Sequence, residues 1–551
     1  MCCTCDLVTR LVLILIVLTT SAFAGQERGL GRVTFPNSGN AAAQADFLRG
    51  LAWLHTFSYE DAIDAFRLAQ KADPSFAMAY WGEAMSFSQP VWFFEEPDKG
   101  RAALAKLGKT PDERMARAKT PREQGFMRAA EALFGPGDKT VRAAAHLKAM
   151  AELAAANPAD DEAQAFHALA IIATLPRGDV ALPLRQQAGA IAEKVFARNP
   201  SHPGAAHYIL HAYDHGTLVS RALPAARAYA KIAPAASHAL HMPAHAFVQL
   251  GMWDDAALSD EASWNASIAW AKRRGLSAAQ RDFHSLAWLQ YEWLQQGRFS
   301  KTKDAIAQVN EAMTAGIRKQ GSGIGVSPQH AGGHGYGEGS EIGRGSDEAA
   351  LRNDRGSMRA RYIIESERWA EMKGQSSFDN IEELFALGLS AVNLGDGARA
   401  RSVIEEFRKA AAPSQSAELR EQAQVMLREM EAVDQFAQGQ HARAFALLDQ
   451  AVAMQNRMPK PIGRPMPVKD VNELYGELEL QLGRASQAAN WFERALARTP
   501  NRSRAVLNLA RAYRNAGDTV RARATYKKLL TNYRLADSGL PELVEARDAI
   551  K

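Results

Sequence analysis

Cysteine is almost missing from this chain. Its 551 residues include three, Cys2, Cys3 and Cys5, and none beyond them. The rest of the chain therefore makes neither disulfides nor thiolate metal sites, so stability must come from packing and any metal must be held by nitrogen and oxygen. A dominant charge is missing too. Lys and Arg total 66 against 61 Asp and Glu, a formal balance of +5. That excludes the strong basic field by which nucleic acid is held. Long apolar runs are also lacking. Leu11 to Leu18 falls short of the roughly 20 residues that span a bilayer. Preceded by Arg10 and followed by Ala22-Phe23-Ala24, it has the form of an export signal over residues 1–24, cleaved before Gly25. The mature chain is expected to have no transmembrane span and to be exported, periplasmic or secreted. Common enzyme signatures are absent as well. Gly108-Lys109-Thr110 has Ala103 where a phosphate loop needs glycine, Gly321-Ser322-Gly323 follows no strand, and neither His-Glu-x-x-His nor Gly-x-Ser-x-Gly occurs.

What the chain does have is an echo. His207 and His211 recur as His241 and His245, and Pro200 and Pro234 precede the two pairs with the same spacing. The interval is 34 residues, the period of the tetratricopeptide (TPR) helix pair. Gly50, Trp53, Ala62, Phe66, Ala69 and Pro74 fit the template of small, aromatic and terminating residues in such repeats. So do Gly476, Gly483, Ala488, Phe492, Ala495 and Pro500, followed directly by Ala510, Tyr513, Gly517, Ala522 and Tyr526. Weaker copies run through Gly388 to Ile404 and through Ala432 to Ala451. The fold class is an all-α solenoid of TPR-like helix pairs. We divide it into one array over residues 25–320, a Gly-rich loop at 321–356, a second array at 357–536 and a tail at 537–551. The loop carries ten glycines between Gly321 and Gly345, a composition that disfavours helix. Pro459 to Pro467 reads as a short extended linker. The tryptophans at helical spacing (Trp81, Trp92, Trp253, Trp264, Trp270, Trp288, Trp293) read as core between repeats.

Seven of the 14 histidines fall between His202 and His245. Residues four apart share a helix face with Cβ atoms roughly 5–6 Å apart, so His207, His211 and His215 form one stripe and His241 and His245 another. Neighbouring helices pack at roughly 8–10 Å between axes. The repeat register then has the four imidazoles His207, His211, His241 and His245 converge on one groove-facing patch, with His238 and Asp214 as further ligands. Imidazole suits a divalent transition metal (Zn, Cu, Fe or Ni) without distinguishing among them. Neutral histidines hydrogen-bonded to one another in a groove are the alternative. His330 and His334 repeat the spacing inside the Gly-rich loop, with no helix to align them. A second groove feature is Arg504, Asn508, Arg511 and Arg514. It reads either as a clamp on a partner's carboxylate or as one side of a network with Asp470, Glu473 and Glu477 on the preceding repeat.

Three segments carry a resemblance. Ala77-Met78-Ala79-Tyr80-Trp81-Gly82-Glu83-Ala84, His207-Tyr208-x-x-His211-Ala212-Tyr213-Asp214 and His238-Ala239-Leu240-His241-Met242-Pro243-x-His245 together resemble a family of exported bacterial TPR proteins with a His-rich core. The similarity runs over about residues 44–300, with Arg359-Ala360-Arg361-Tyr362 to Trp369 as a later landmark. Relatives often carry His just after the first block, where this chain has Phe87-Ser88-Gln89-Pro90. The resemblance implies a TPR fold and binding of a protein or peptide partner, and no settled activity. Three functions stay open. One is a groove that binds a partner, with a His-lined metal site on the central repeats. The second is a metal-dependent enzyme, hydrolytic or oxidative, with Asp214 or Glu83 as base, although no acid–base partner can be identified independently. The third is an assembly scaffold in which the histidines only pack.

Overall fold

The computed structural model describes residues 29–92, 94–176, 181–314, 348–411 and 417–551. The expected export signal lies outside the described residues, as does most of the Gly-rich segment, with His330 and His334. Among the described residues there are twenty-five α-helices and one two-stranded antiparallel ribbon. The fold is an all-α solenoid of TPR-like helix pairs. No described helix is long and apolar enough to cross a membrane.

The chain forms two compact units, Met1–Tyr213 with Arg221–Pro243, and Asp214–Ser220 with Ala244–Lys551. The division therefore falls within the repeats that carry the histidines and not at the Gly-rich segment. The first unit holds α1 (Ala41–His55), α2 (Tyr59–Ala72), α3 (Ala77–Met85), α4 (Pro97–Ala105), α5 (Pro111–Arg117), α6 (Pro121–Leu133), α7 (Lys139–Ala156), α8 (Asp161–Ile172), α9 (Leu182–Arg198) and α10 (Pro203–Tyr213). It also takes most of α11 (Val219–Ile232) and α12 (Ser237–Gln249) as far as Pro243. The ribbon, β1 (Ser88–Gln89) with β2 (Phe94–Glu95), interrupts the pairs after α3. Local chemistry sets several of these starts. The Thr110 and Thr120 hydroxyls each accept from the N3 backbone N–H, their own backbone N–H groups donate to the side chain of that N3 Glu, and a Pro follows each at the first helical position. Phe47, Phe66 and Phe76 then fill the gap between the first helices, with adjacent rings 4.8–5.8 Å apart.

The second unit continues with α13 (Trp253–Arg273), α14 (Phe283–Gln295), α15 (Phe299–Thr314), α16 (Glu348–Ser366), α17 (Ile381–Asn393), α18 (Gly397–Ala410), α19 (Ala417–Ala437), α20 (His441–Gln455), α21 (Val471–Gln481), α22 (Ala485–Arg498), α23 (Ser503–Asn515), α24 (Thr519–Asn532) and α25 (Pro541–Ala549). Two sequence boundaries shift here. Residues 348–356, read as loop, are the first turns of α16, where Gly356 packs closely on Asn380. The expected tail holds α25, started by Pro541. The Pro459–Pro467 segment is more than a linker. Arg361 Nη1 donates to the Pro465 carbonyl at 2.8 Å, and Gly463 lies so close to Trp288 that a Cβ would come within 2.4 Å of the ring. Trp81, Trp253, Trp264, Trp288 and Trp293 are buried, and Trp270 is half-buried.

The turn inside a helix pair needs one residue in the left-handed region, which glycine adopts without a Cβ clash. Gly251, Gly297, Gly395, Gly439, Gly483 and Gly517 fill that place at φ between 68 and 80°. Between α1 and α2 the same place is taken by Phe57, at φ 58°. A bulky side chain there is strained, and it stands beside the histidines.

Candidate metal centre

The site is built on α10. This helix is capped by an imidazole, because the Ala205 N–H donates to His202 Nδ1 at 3.1 Å. Arg185 closes the other end by donating to the carbonyls of His211 and Ala212 at 3.1 and 3.3 Å. Every residue from Pro203 to Tyr213 is buried, so α10 is an interior helix and carries His207 and His211 out of water.

Three imidazoles meet there. His207 Nε2 lies 3.0 Å from His211 Nε2 and 3.1 Å from His238 Nε2, the latter in the first turn of α12. Among the described residues these three form one of the groups whose ligand atoms all lie within 4.8 Å of one another. Tetrahedral nitrogens around an ion at about 2.0–2.1 Å would be roughly 3.3 Å apart, close to the two distances from His207 Nε2, and the third pair lies within 4.8 Å. The tautomer also suits a ligand. His207 Nδ1 is 2.7 Å from the His55 carbonyl oxygen, which can only accept. The ring proton is therefore on Nδ1, and the neutral ring keeps its Nε2 lone pair facing the other two histidines.

Behind the trio stands a second group of metal-ligand type, His55, Glu162 and His202, all fully buried. Its protons argue against an ion. His55 Nε2 is 2.7 Å from Glu162 Oε2, and His202 Nε2 is 3.3 Å from Glu162 Oε1. Burial opposes the charged carboxyl, but the two imidazoles outweigh it and hold Glu162 well below the usual carboxylate range. Burial, only partly offset by Glu162, pulls His55 below the ordinary imidazole value. His202 already accepts the Ala205 N–H on Nδ1, so its proton sits on the nitrogen facing Glu162. His55 likewise donates from Nε2, and its Nδ1, 2.9 Å from the Tyr208 hydroxyl, accepts from it. His55 thus donates to Glu162, with His202 Nε2 at ion-pair distance from the same carboxylate, and the His55–Glu162 hydrogen bond supports the residue whose carbonyl faces His207. Gly204 is what makes room, since a Cβ there would be 2.2 Å from His55 Nδ1.

Phe57 explains its own strain by what it touches. Its ring centroid is 4.2 Å from that of His207 and stacks at 5.6 and 5.7 Å on His211 and His238. Tyr229 stacks on His207 at 5.1 Å. The trio is therefore walled by aromatic rings as well as buried.

The remaining expected ligands are placed differently. His241 is on α12 and buried, with its ring 6.3 Å from that of His238, outside the trio. His245, in the second unit, donates from Nδ1 to Asp214 Oδ2 at 2.9 Å and stacks on Trp288, and Gln249 Nε2 donates to the other Asp214 oxygen at 2.7 Å. His215 is not on the α10 face at all. The helix ends at Tyr213, and His215 Nδ1 accepts the Thr217 N–H at 3.3 Å in the turn that follows. His207 meets His238, Asp214 meets His245 and Glu477 meets Asn508, each across 31 residues. Equivalent residues are 34 apart, so these three contacts form three residues short of the period.

Glu83, a possible base in the enzyme reading, is buried and committed to Arg67, Gln70 and Lys106. Burial works against its charge, but these donors prevail and keep it below the ordinary range. The C-terminal arginines are paired within the chain, although not with the expected acids. Arg504 donates to the Glu365 carbonyl at 2.7 Å and to Glu367 at 3.1 Å, and Arg511 and Arg514 both pair with Glu545 of α25. Asn508 donates to Glu477 at 3.1 Å. Sequence reasoning missed His55, Glu162 and Phe57. For Phe57 a signal existed, an aromatic residue where the repeat places glycine.

Residues 479–536, and separately residues 37–75 with 429–500, match tetratricopeptide repeat families. No curated protein matches the sequence. Similar solved structures include a tetratricopeptide repeat protein from Parabacteroides merdae ATCC 43184, at 12% identity and TM-score 0.27, covering 57% of this chain and 97% of that one. The human IFIT1 dimer with m7Gppp-AAAA is similar at 11% identity and TM-score 0.33, covering 92% of each chain. The APC/C hetero-tetramer Cut9-Hcn1 is similar at 10% identity and TM-score 0.30, covering 94% of this chain and 78% of that chain. These likenesses carry no argument about function.

Proposed function

We propose that this protein is an exported TPR scaffold for protein or peptide partners that carries a buried transition-metal site in its first unit, with His207, His211 and His238 as ligands. Tetratricopeptide repeats imply a protein-interaction scaffold, and that part rests on the matched segments. The metal site rests on one observation above all. Three Nε2 atoms lie together, and the one at the centre has its lone pair directed at the others by the His55 carbonyl. Export rests on the apolar run and Ala22-Phe23-Ala24, and N-terminal sequencing that began at Met1 would exclude cleavage.

The metal reading is tested by elemental analysis of untagged protein after loading with Zn(II), Cu or Ni salts. One equivalent is expected. His207→Ala and His238→Ala should each remove most of it while circular dichroism stays nearly unchanged, because neighbouring repeats carry the fold. His241→Ala should retain the metal, a result that separates this geometry from one built on the repeat period alone. Protein that stays metal-free under all loadings would leave only the scaffold.

A further inference from the structure

We propose that residues 458–468 form a strap over a docking face of the second unit, and that an extended, proline-rich segment of a partner protein binds this face by displacing the strap. This rests on the scaffold reading above and names the surface and the class of partner; the metal site takes no part in it.

The strap is longer than the repeat needs. Four residues, 499–502, join α22 to α23, whereas fifteen, 456–470, join α20 to α21 with no helix or strand among them. Irregular connections of that length inside a packed domain are uncommon, and those that occur usually carry function. Pro459 and Pro461 precede Ile462-Gly463-Arg464, and Pro465 and Pro467 follow it. Proline fixes φ and removes the backbone donor, which disposes the chain to an extended form whose carbonyls are left to outside partners. Among the described residues no backbone-to-backbone hydrogen bond involves residues 459–467.

Side chains of the unit take the place of those bonds. Arg361 Nη1 donates to the Pro465 carbonyl at 2.8 Å. Arg498 donates through Nη2 to the Pro459 carbonyl at 2.8 Å and through Nη1 to the Met458 carbonyl at 3.4 Å, and Arg502 Nη2 donates to the Val468 carbonyl at 3.1 Å. Gly463 lies against the Trp288 ring with no room for a Cβ. Aromatic surfaces under a proline-rich chain are the means by which protein grooves hold such peptides, and here side-chain donors hold the carbonyls as well. The strap sits as a bound peptide would.

Its fit is incomplete. A cleft lined in part by Trp253, Tyr291, Pro461, Gly463 and Pro465 stays open beside it. Arg464 adds a second guanidinium near Arg361. Burial and that like charge pull its pKa down to about 10, and its Nη1 is buried without a hydrogen-bond partner among the described residues. A tethered segment stays in place with modest contacts, because its effective concentration is on the order of millimolar. A free segment that fits better competes with it, at an affinity reduced by the fraction of molecules whose face is open.

The probe is a synthetic peptide with the sequence of residues 458–468, labelled at its N-terminus and titrated with the full-length protein by fluorescence anisotropy. Gly463→Ala in the protein drives a Cβ into Trp288, which is buried and stacked on His245, so the half-buried strap yields and the face is left unchanged. That variant should bind the peptide at least about tenfold more tightly than the parent. The same change placed in the peptide should weaken its binding at least about tenfold, since the added methyl then meets Trp288 from the peptide. In the parent, excess peptide should speed hydrogen exchange at the amides of Ile462, Gly463, Arg464 and Met466, a readout that does not depend on the variant folding. No binding to folded Gly463→Ala protein together with unchanged exchange in the parent would overturn the docking face, as would binding that is indifferent to Gly463→Ala in the peptide. A panel of unrelated extended and helical peptides, run alongside, tests the scaffold reading separately. Binding of some of these but not of the strap peptide would overturn only the docking face, and binding of none at all would overturn the peptide-scaffold reading with it.

Discussion

Phe57 offers a test in which the sign matters more than the size. Its side chain is 1% exposed, so truncation to alanine should cost about 3–5 kcal/mol in lost burial and cavity. Truncation to glycine loses slightly more side chain. At an ordinary position it would be the worse variant by about 0.5–1 kcal/mol, because glycine has more backbone freedom to lose. At φ 58° the order should reverse, since an L-residue with a Cβ is disfavoured in the left-handed region by about 1–2 kcal/mol. Phe57→Gly should therefore be more stable than Phe57→Ala by about 1 kcal/mol. Gly483→Ala gives the control in the second unit. It sits at φ 73° with nothing within 4 Å of an added Cβ, so its cost of about 1 kcal/mol is backbone strain alone. The measurement is native-state hydrogen exchange over residues 41–72, following the turn amides of Phe57 and Ser58, which bond to the carbonyls of Leu54 and Trp53 at 3.1 and 3.0 Å. Exchange reports the local unit, where a global melt of two units would not. Protection equal to or lower than Phe57→Ala in Phe57→Gly would refute the strain argument.

Other perturbations follow from the same contacts. Gly204→Ala drives a Cβ into His55 and should cost about 3 kcal/mol while weakening metal binding, although no ligand is changed; intact metal affinity in a folded variant would show that the support is dispensable. Glu429 is fully buried with no hydrogen-bond partner at either carboxyl oxygen, and burial pushes its pKa well up. A raised carboxyl contributes stability below the unfolded value of about 4.3 and loses it as pH rises through the folded value, so Glu429→Gln should melt like the parent at pH 4 and higher than it at pH 8; parallel melting curves would contradict this. Arg502, fully buried between Glu365 at 2.7 Å and Glu473 at 3.4 Å, should cost about 3–5 kcal/mol when changed to alanine, whereas Arg511→Ala at the half-exposed Glu545 pair should cost under about 1 kcal/mol in urea unfolding.

The C-terminal helix pairs are readable in the sequence because each template residue does a local job. Gly483 makes a turn, and Phe492 fills the space that Gly476 leaves, where a Cβ would be 2.8 Å from the ring. The N-terminal region is less regular because the β1–β2 ribbon and short helices such as α5 interrupt the pairs. For the histidines the period told which positions are equivalent, and it brought His207 and His211 onto one buried face. It could not tell which positions meet. That depends on how neighbouring helices pack on one another, a property of packed side chains that no periodicity records. Packing brings the Nε2 of His238, one of the further ligands in the sequence reading, to 3.1 Å from that of His207. Glu162 and His55 leave no local trace, because they meet across 107 residues and His55 reaches His207 across 152. One departure visible along the chain was Phe57 at a glycine position; Glu367 and Asn501 are the other non-glycine residues at positive φ among the described residues. A repeat that accepts strain where its neighbours have none is marking a place where the side chain is needed, and the three imidazoles beneath that ring say what it is needed for.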